Sequence, residues 1–129
     1  MKLELVNQLL EVEMLISYRG KAKLVDKLVV DTGAAHTLIS SDVVDEIGIF
    51  FENGDPLVSS FGIGGEEYSF RKQLDFIKLG SHKRQNIKLD FGNLDGWDIN
   101  GLIGLDILMH GQFVIDLKKL ELSIQHPTR

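Results

Sequence analysis

The chain has 129 residues, 43% hydrophobic and 26% charged, which favours one domain with one core over residues 1–129, of ordinary soluble globular type. A net charge of −5 argues against a nucleic-acid binder, which carries a basic face, and the absence of cysteine excludes disulfides, thiol nucleophiles and cysteine-ligated metals. No apolar run approaches the ~18 residues of a membrane span, and the N-terminal stretch carries Glu4, Glu11 and Glu13 where a signal peptide needs an apolar core, so a cytoplasmic location with no membrane partner is expected.

In chain order, Leu10, Val12, Met14, Ile16 and Tyr18 alternate with Glu11, Glu13, Leu15, Ser17 and Arg19, the period-2 pattern of a half-buried strand. Arg19 to Lys21 reads as a turn, and Ala22 to Val30 as the returning strand. After Asp31-Thr32-Gly33-Ala34 comes a short helix, capped by Ser40 or Ser41, with Asp42 in its first turn and Gly48 at its end. Residues 52–56 are loop chemistry, and residues 57–70 are two extended arms around Gly62, Gly64 and Gly65.

A second hairpin over 75–91 turns near Gly80, and 93–101 is polar and turn-rich. Leu102 to Gly111 reads as an apolar strand end and a short helix, and 112–124 as two strands around Lys118 and Lys119. Many short strands and two short helices predict an all-β chain folded into a closed or folded-over barrel.

One carboxylate stands apart from this frame. Asp31 follows the apolar run Leu28-Val29-Val30 and precedes Thr32, Gly33 and two alanines. Gly33 permits a tight turn whose amide approaches the carboxylate, Thr32 can reach sideways, and small residues at 34 and 35 leave room for a ligand. The same tripeptide can also serve only to cap a turn. The glycine-rich tip at Phe61-Gly62-Ile63-Gly64-Gly65 departs from a dinucleotide fingerprint, because Glu67 occupies its last glycine position. No Lys-Ser/Thr follows it as in a phosphate loop; a flap over a cleft suits it better.

Two apolar residues, Asp31-Thr32-Gly33-Ala34, then the glycine-rich hairpin, then Leu102-Ile103-Gly104 before a short helix, taken in this order, resemble the retropepsin-like aspartic proteases over about residues 10–125. The resemblance implies an all-β, closed acid-protease barrel. It implies that Asp31 is catalytic and supported by Thr32, Gly33 and Ala34, that Phe61 to Gly65 form a substrate-binding flap, and that Leu102, Ile103 and Gly104 form the second loop. It also implies an aspartic endopeptidase acting on peptide or protein substrates, with no cofactor and no metal. Retroviral members often carry arginine directly after the last of those glycines, where this chain has Leu105 and then Asp106, which can cap the helix instead. The region 82–100 is longer than in minimal retroviral members, with no assigned role.

Aspartic protease chemistry uses two carboxylates sharing one proton, since like charges a few ångströms apart cannot both ionise cheaply. This chain has one Asp-Thr-Gly. Asp98, Asp106 and Asp116 lack the flanking Thr-Gly, so the expected partner is the Asp31 of a second copy across a twofold axis. The family usually dimerises by interleaving terminal strands, for which residues 2–6 and 120–124 are apolar enough, and the family's Thr at position 32 bonds across the axis. A catalytically idle, peptide-binding or scaffolding dimer on the same fold is the alternative. Ala34 lacks the hydroxyl that pepsin-like relatives place there, which predicts a less acidic activity optimum than pepsin's.

The remaining motifs are weaker. His36, His82, His110 and His126 have no metal-ligand spacing, although His36 lies near the cleft. No G-x-S-x-G elbow exists, and Ser59 and Ser60 read as strand residues. Trp97 reads as core or interface packing, with a substrate-subsite wall as the alternative, and Phe50 and Phe51 cover the barrel mouth or pack beneath the helix. Lys83, Arg84 and Lys88 read as a solvated hairpin.

Overall fold

In a computed structural model, described for residues 1–62 and 65–124 and for the backbone alone at 60–62 and 65–67, strands dominate. β1 (Glu4–Val6) turns through Asn7 and Gln8, both at positive φ, into β2 (Leu9–Tyr18). β3 (Lys21–Val30) returns along β2 after a turn at Arg19-Gly20, also at positive φ. The predicted alternation holds on β2: Val12, Met14, Ile16 and Tyr18 are buried and Glu13 is exposed. Glu11 and Ser17 break it, since both are also buried.

The register of β2 against β3 slips between Val12 and Met14, where Lys27 takes a φ of 54°. Such a bulge bends a strand and re-aims the residues beyond it. Asp31 is four residues beyond Lys27. Asn100 fastens the bulge, donating from its amide side chain to the Asp26 carbonyl at 3.1 Å and carboxylate at 3.0 Å.

β4 (Leu38–Ser40) leads into α1 (Ser41–Val44) and a single 3-10 turn (Asp45–Ile47), closed by Gly48 at a φ of 88° as its position predicts. β5 (Leu57–Gly62) and β6 (Gly65–Gln73) form the glycine-tipped hairpin. β7 (Phe76–Leu79) and β8 (His82–Gln85) turn at Gly80, and β9 (Lys88–Gly92) comes next. β10 (Gly101–Ile103) precedes α2 (Leu105–Leu108), and β11 (Phe113–Asp116) pairs with β12 (Glu121–Ile124).

The main sheet runs β5-β6-β9-β4-β10-β3-β2-β7-β8, with β1 also on β2. The fold is all-β, as expected, but the sheet does not close into a barrel. Among the described residues the hydrogen-bonded path begins at β5 and ends at β8, because β5, the outer arm of the hairpin, pairs only with β6. The sheet instead folds over a core in which Met14, Ile16, Leu28, Ile39, Ile77, Leu89, Phe91 and Ile103 are fully buried.

The terminal segments meet within one chain. The Leu3 amide donates to the Leu120 carbonyl, and the Leu122 amide to the Met1 carbonyl, each at 2.8 Å. Region 82–100 is not a surface excursion. β9 lies between β6 and β4, in antiparallel and parallel register respectively, so it carries the base of the hairpin on one edge and the strand after Asp31 on the other. No helix of the described residues is long and apolar enough to cross a membrane.

Candidate active site

The site is built by a strand insertion. β3 and β4 are joined by residues 31–37 yet are not neighbours: β10 lies between them, parallel to β3 and antiparallel to β4. The connecting loop must therefore arch over the end of β10. Leu28, Val29 and Val30 stand opposite Gly101, Leu102 and Ile103, so Asp31 emerges level with Gly104. The Asp31 amide donates to the Ile103 carbonyl at 2.9 Å, which holds the start of the arch.

Within the arch, the Gly33 amide donates to Oδ1 of Asp31 at 2.9 Å, the close approach the sequence suggests, and the Ala34 amide donates to the Asp31 carbonyl at 3.2 Å. A Cβ on Gly33 would stand 3.2 Å from that same Oδ1. Asp31 is half-buried, Thr32 and Gly33 are exposed, and Ala34 is half-buried, so the arch presents its carboxylate at an open surface.

The second loop locks the arch from below. The Leu105 amide donates to the Ala34 carbonyl at 2.8 Å, and the Asp106 amide to the Ala35 carbonyl at 3.2 Å. The orphan donors of a helix start are thus satisfied by the arch backbone. Gly104 is required by contact: a Cβ there would lie 2.7 Å from the Ala34 carbonyl oxygen and 2.9 Å from the His36 carbonyl carbon. Ile103 and Gly104 therefore form a floor to the arch, while Leu102 is paired between Val29 and Leu38.

Sequence reasoning misses Thr37. It is fully buried; its hydroxyl donates to Oδ1 of Asp106 at 2.6 Å and accepts from the Gly104 amide at 3.1 Å. Asp106 is expected from the sequence to cap α2. Its Oδ1 does accept the Ile107 amide at 2.9 Å, but Gly104 occupies the cap position, and both carboxylate oxygens are turned to Thr37. A threonine followed by Leu38-Ile39 reads as strand, so only the 69-residue pairing with Asp106 reveals its role.

The other downstream carboxylates are occupied elsewhere. Asp98 is exposed beside Lys27 at 3.4 Å, and Asp116 accepts the Lys118 and Lys119 amides in the β11-β12 turn. None of them is hydrogen-bonded to Asp31.

Of the expected flap, Phe61, Gly62 and Gly65 lie on the hairpin, with Phe61 opposite Glu66 and Gly62 opposite Gly65, while Ile63 and Gly64 fall outside the described residues. β6 pairs with β9 from Ser69 to Gln73, so above Ser69, among the described residues, the hairpin strands pair with each other alone. Its base is clipped by Lys72, whose buried ammonium lies 2.7 Å from Glu52 and 2.6 Å from Asp55. Both carboxyls are held below their ordinary values, Glu52 by hydrogen bonding to Lys72 and then by the charge of Arg19, Asp55 by Lys72 and then by the Glu52 amide.

Trp97 does not pack in the core. It is 65% exposed and lines a cavity with Leu38, Tyr68 and Gly92. Phe50 and Phe51 are also exposed, Phe51 meeting the edge of Phe70 at 6.0 Å. His82 and His110, 28 residues apart, place Nε2 and Nδ1 at 3.3 Å. Among the described residues no group of three or more His, Asp or Glu could hold a metal ion.

This geometry agrees with the comparisons to known proteins. The family model described as aspartyl protease matches residues 16–107. The fold is similar to that of a retropepsin-like aspartic protease from Rickettsia conorii, with a TM-score of 0.62 at 20% identity over 85% of this chain and 78% of that one. It is likewise similar to the retroviral protease-like domain of Ddi1 from Leishmania major, with a TM-score of 0.63 at 21% identity over 92% and 90%. No curated protein matches the chain by sequence. An Asp-Thr-Gly arch over an inserted strand, a projecting hairpin and a family match over most of the length converge: the chain belongs to the aspartyl protease family, with a retropepsin-like fold.

Proposed function

We propose that the chain is an aspartic endopeptidase whose dyad forms from Asp31 of two copies across a twofold axis. The observation that carries this is the state of the carboxylates. Asp31 is the one held at the open end of the arch by the Gly33 amide, and Asp98, Asp106 and Asp116 are engaged with other groups. A second copy supplies the missing group without further machinery.

In the reaction, one Asp31 takes a proton from water as that water attacks the scissile carbonyl carbon. The protonated Asp31 of the other copy donates to the carbonyl oxygen, giving a tetrahedral diol. The diol collapses as one hydroxyl gives its proton to the ionised Asp31, the C–N bond breaks and the leaving nitrogen takes the proton of the other Asp31, which leaves the dyad singly protonated again. The arch floor fixes both carboxylates, Thr32 bonds across the axis, and main-chain groups of Phe61 to Gly65 and of the loop after Gly33 take the substrate as an added strand. The hairpin closes over it and excludes solvent. Ala34 supplies no hydroxyl to the carboxylate, so the optimum is milder than pepsin's; a bell-shaped profile centred near pH 2 overturns that point.

The test pairs sedimentation with cleavage of a peptide library. Wild type is expected to cleave as a dimer and to be blocked by a pepstatin-type mimic, while Asp31→Asn keeps its fold and its dimer but does not cleave. Cleavage by purified Asp31→Asn, or by a strict monomer, refutes the proposal. Peptide binding without cleavage identifies a catalytically idle dimer on this fold.

A further inference from the structure

A cavity of about 320 Å³ lies between the arch and the base of the hairpin. His36 and Thr37 of the arch line one side, Arg71 of β6 and Lys88 of β9 the other, and Arg84 of β8 closes it. His36 is five residues beyond Asp31, so the cavity opens beside the far end of the arch.

The charges in this cavity are unequally satisfied. Asp90 is neutralised by Arg71, which donates from Nε at 2.8 Å and Nη2 at 3.3 Å. Asp106 receives the Thr37 amide, the Thr37 hydroxyl and the Ile107 amide. The two acids thus have partners of their own. Arg84 spends one donor, Nη1, on the Asp106 carbonyl at 3.1 Å. The Lys88 side chain is exposed and its ammonium makes no hydrogen bond or ion pair among the described residues, and His36 is exposed beside them. The chain carries a net charge of −5, yet this cavity gathers free cationic donors beside the catalytic loop.

We propose that the Arg84–Lys88 cavity is a specificity subsite for a carboxylate side chain, Asp or Glu, of the peptide substrate. This rests on the aspartic protease reading of the same site. A guanidinium with unused donors and a mobile ammonium suit a carboxylate, since charge-assisted hydrogen bonds are the stronger kind. A lysine or arginine of the substrate meets like charge there, which supplies the repulsive half of the selection.

The experiment is a panel of extended peptides in which Glu, Gln or Lys is placed at each position in turn. Cleavage is measured with wild type, and affinity by fluorescence anisotropy with Asp31→Asn. At one position Glu is expected to exceed Gln by about tenfold, and the ratio is expected to collapse in high salt. The ratio is also expected to fall in Lys88→Gln and to swing toward Lys in Lys88→Glu. Arg84→Gln is the second variant, read with a melting curve because Arg84 also holds the Asp106 carbonyl. No Glu preference at any position, a preference unmoved by both Lys88→Glu and Arg84→Gln, or no peptide bound at all overturns the subsite. A Glu preference in binding by Asp31→Asn, with no cleavage by wild type, keeps the subsite and refutes the protease reading.

Discussion

Thr37 and Asp106 are joined twice: the Thr37 amide donates to Oδ2 at 2.9 Å and its hydroxyl to Oδ1 at 2.6 Å. These bonds span 69 residues and tie the far end of the Asp31 arch to the first turn of α2. Thr37→Val removes the hydroxyl, which leaves the buried Gly104 amide without its acceptor and Oδ1 of Asp106 with the Ile107 amide alone. Unsatisfied buried polar groups are costly, so the variant is expected to lose about 2–3 kcal/mol. For a domain of this size that is a Tm fall of roughly 5–10 °C. Calorimetry checks it, and a Tm within experimental error of wild type contradicts the role.

Much of this arrangement is readable in the sequence and part is not, for identifiable reasons. β2 is legible because Val12, Met14, Ile16 and Tyr18 repeat every second residue within a ten-residue strand. Asp31 is legible because an acid at the end of an apolar strand is conspicuous. β4 and β10 are three residues each, too short to carry a period, and the insertion of one beside the other is a fact of pairing rather than of pattern. The open sheet path likewise depends on which edges find partners. Glu11 reads as a solvent-face residue and is buried, and Trp97, read as core or interface packing, is not in the core, because residue type constrains burial only on average.

Gly104 is required by its neighbours rather than by its backbone angles. Its φ is −97°, which any residue adopts, but an added Cβ meets the Ala34 carbonyl oxygen at 2.7 Å. Gly54 is the converse: φ is 96° and nothing lies within 4 Å. Gly104→Ala is expected to cost about 3 kcal/mol and to displace the arch, reducing activity as well as stability. Gly54→Ala is expected to cost about 1 kcal/mol from backbone strain alone. Denaturant titrations separate them, and equal costs would argue that the floor yields.

His82, packed against His110, makes stability depend on pH near neutrality. Burial lowers the His82 value below its ordinary 6.5, and the charges of His110 and Arg84 lower it further. The unfolded chain then binds the proton more readily than the folded one, so stability is lost as pH falls through the ordinary value and on through the folded value. Wild type is expected to melt at lower temperature at pH 5.5 than at pH 7.5, and His82→Asn to flatten that difference. A pH dependence in this window that survives His82→Asn assigns it to other groups.

The Lys72 cluster sets a second, more acidic window at the base of the hairpin. Burial opposes the charge of Lys72, but its hydrogen bonds to Asp55 and Glu52 outweigh that, and its value is raised above 10.5. Glu52 and Asp55 are lowered from 4.5 and 3.8. Carboxyls lowered by folding stabilise above their unfolded values, and that stability is lost as pH falls through the folded values. Lys72→Met fills the same buried space without the charge, so the carboxyls lose their partner. The stability difference between wild type and Lys72→Met is therefore expected to depend on pH, shifting toward the variant between about pH 5 and pH 3. Because Lys72 lies on β6 and Glu52 and Asp55 on the loop before β5, the same acid step should release the hairpin base. Hydrogen exchange at residues 69–73 is expected to quicken there before the rest of the sheet. A difference constant from pH 7 to pH 3, with uniform exchange, would show that the cluster does not couple the hairpin to pH.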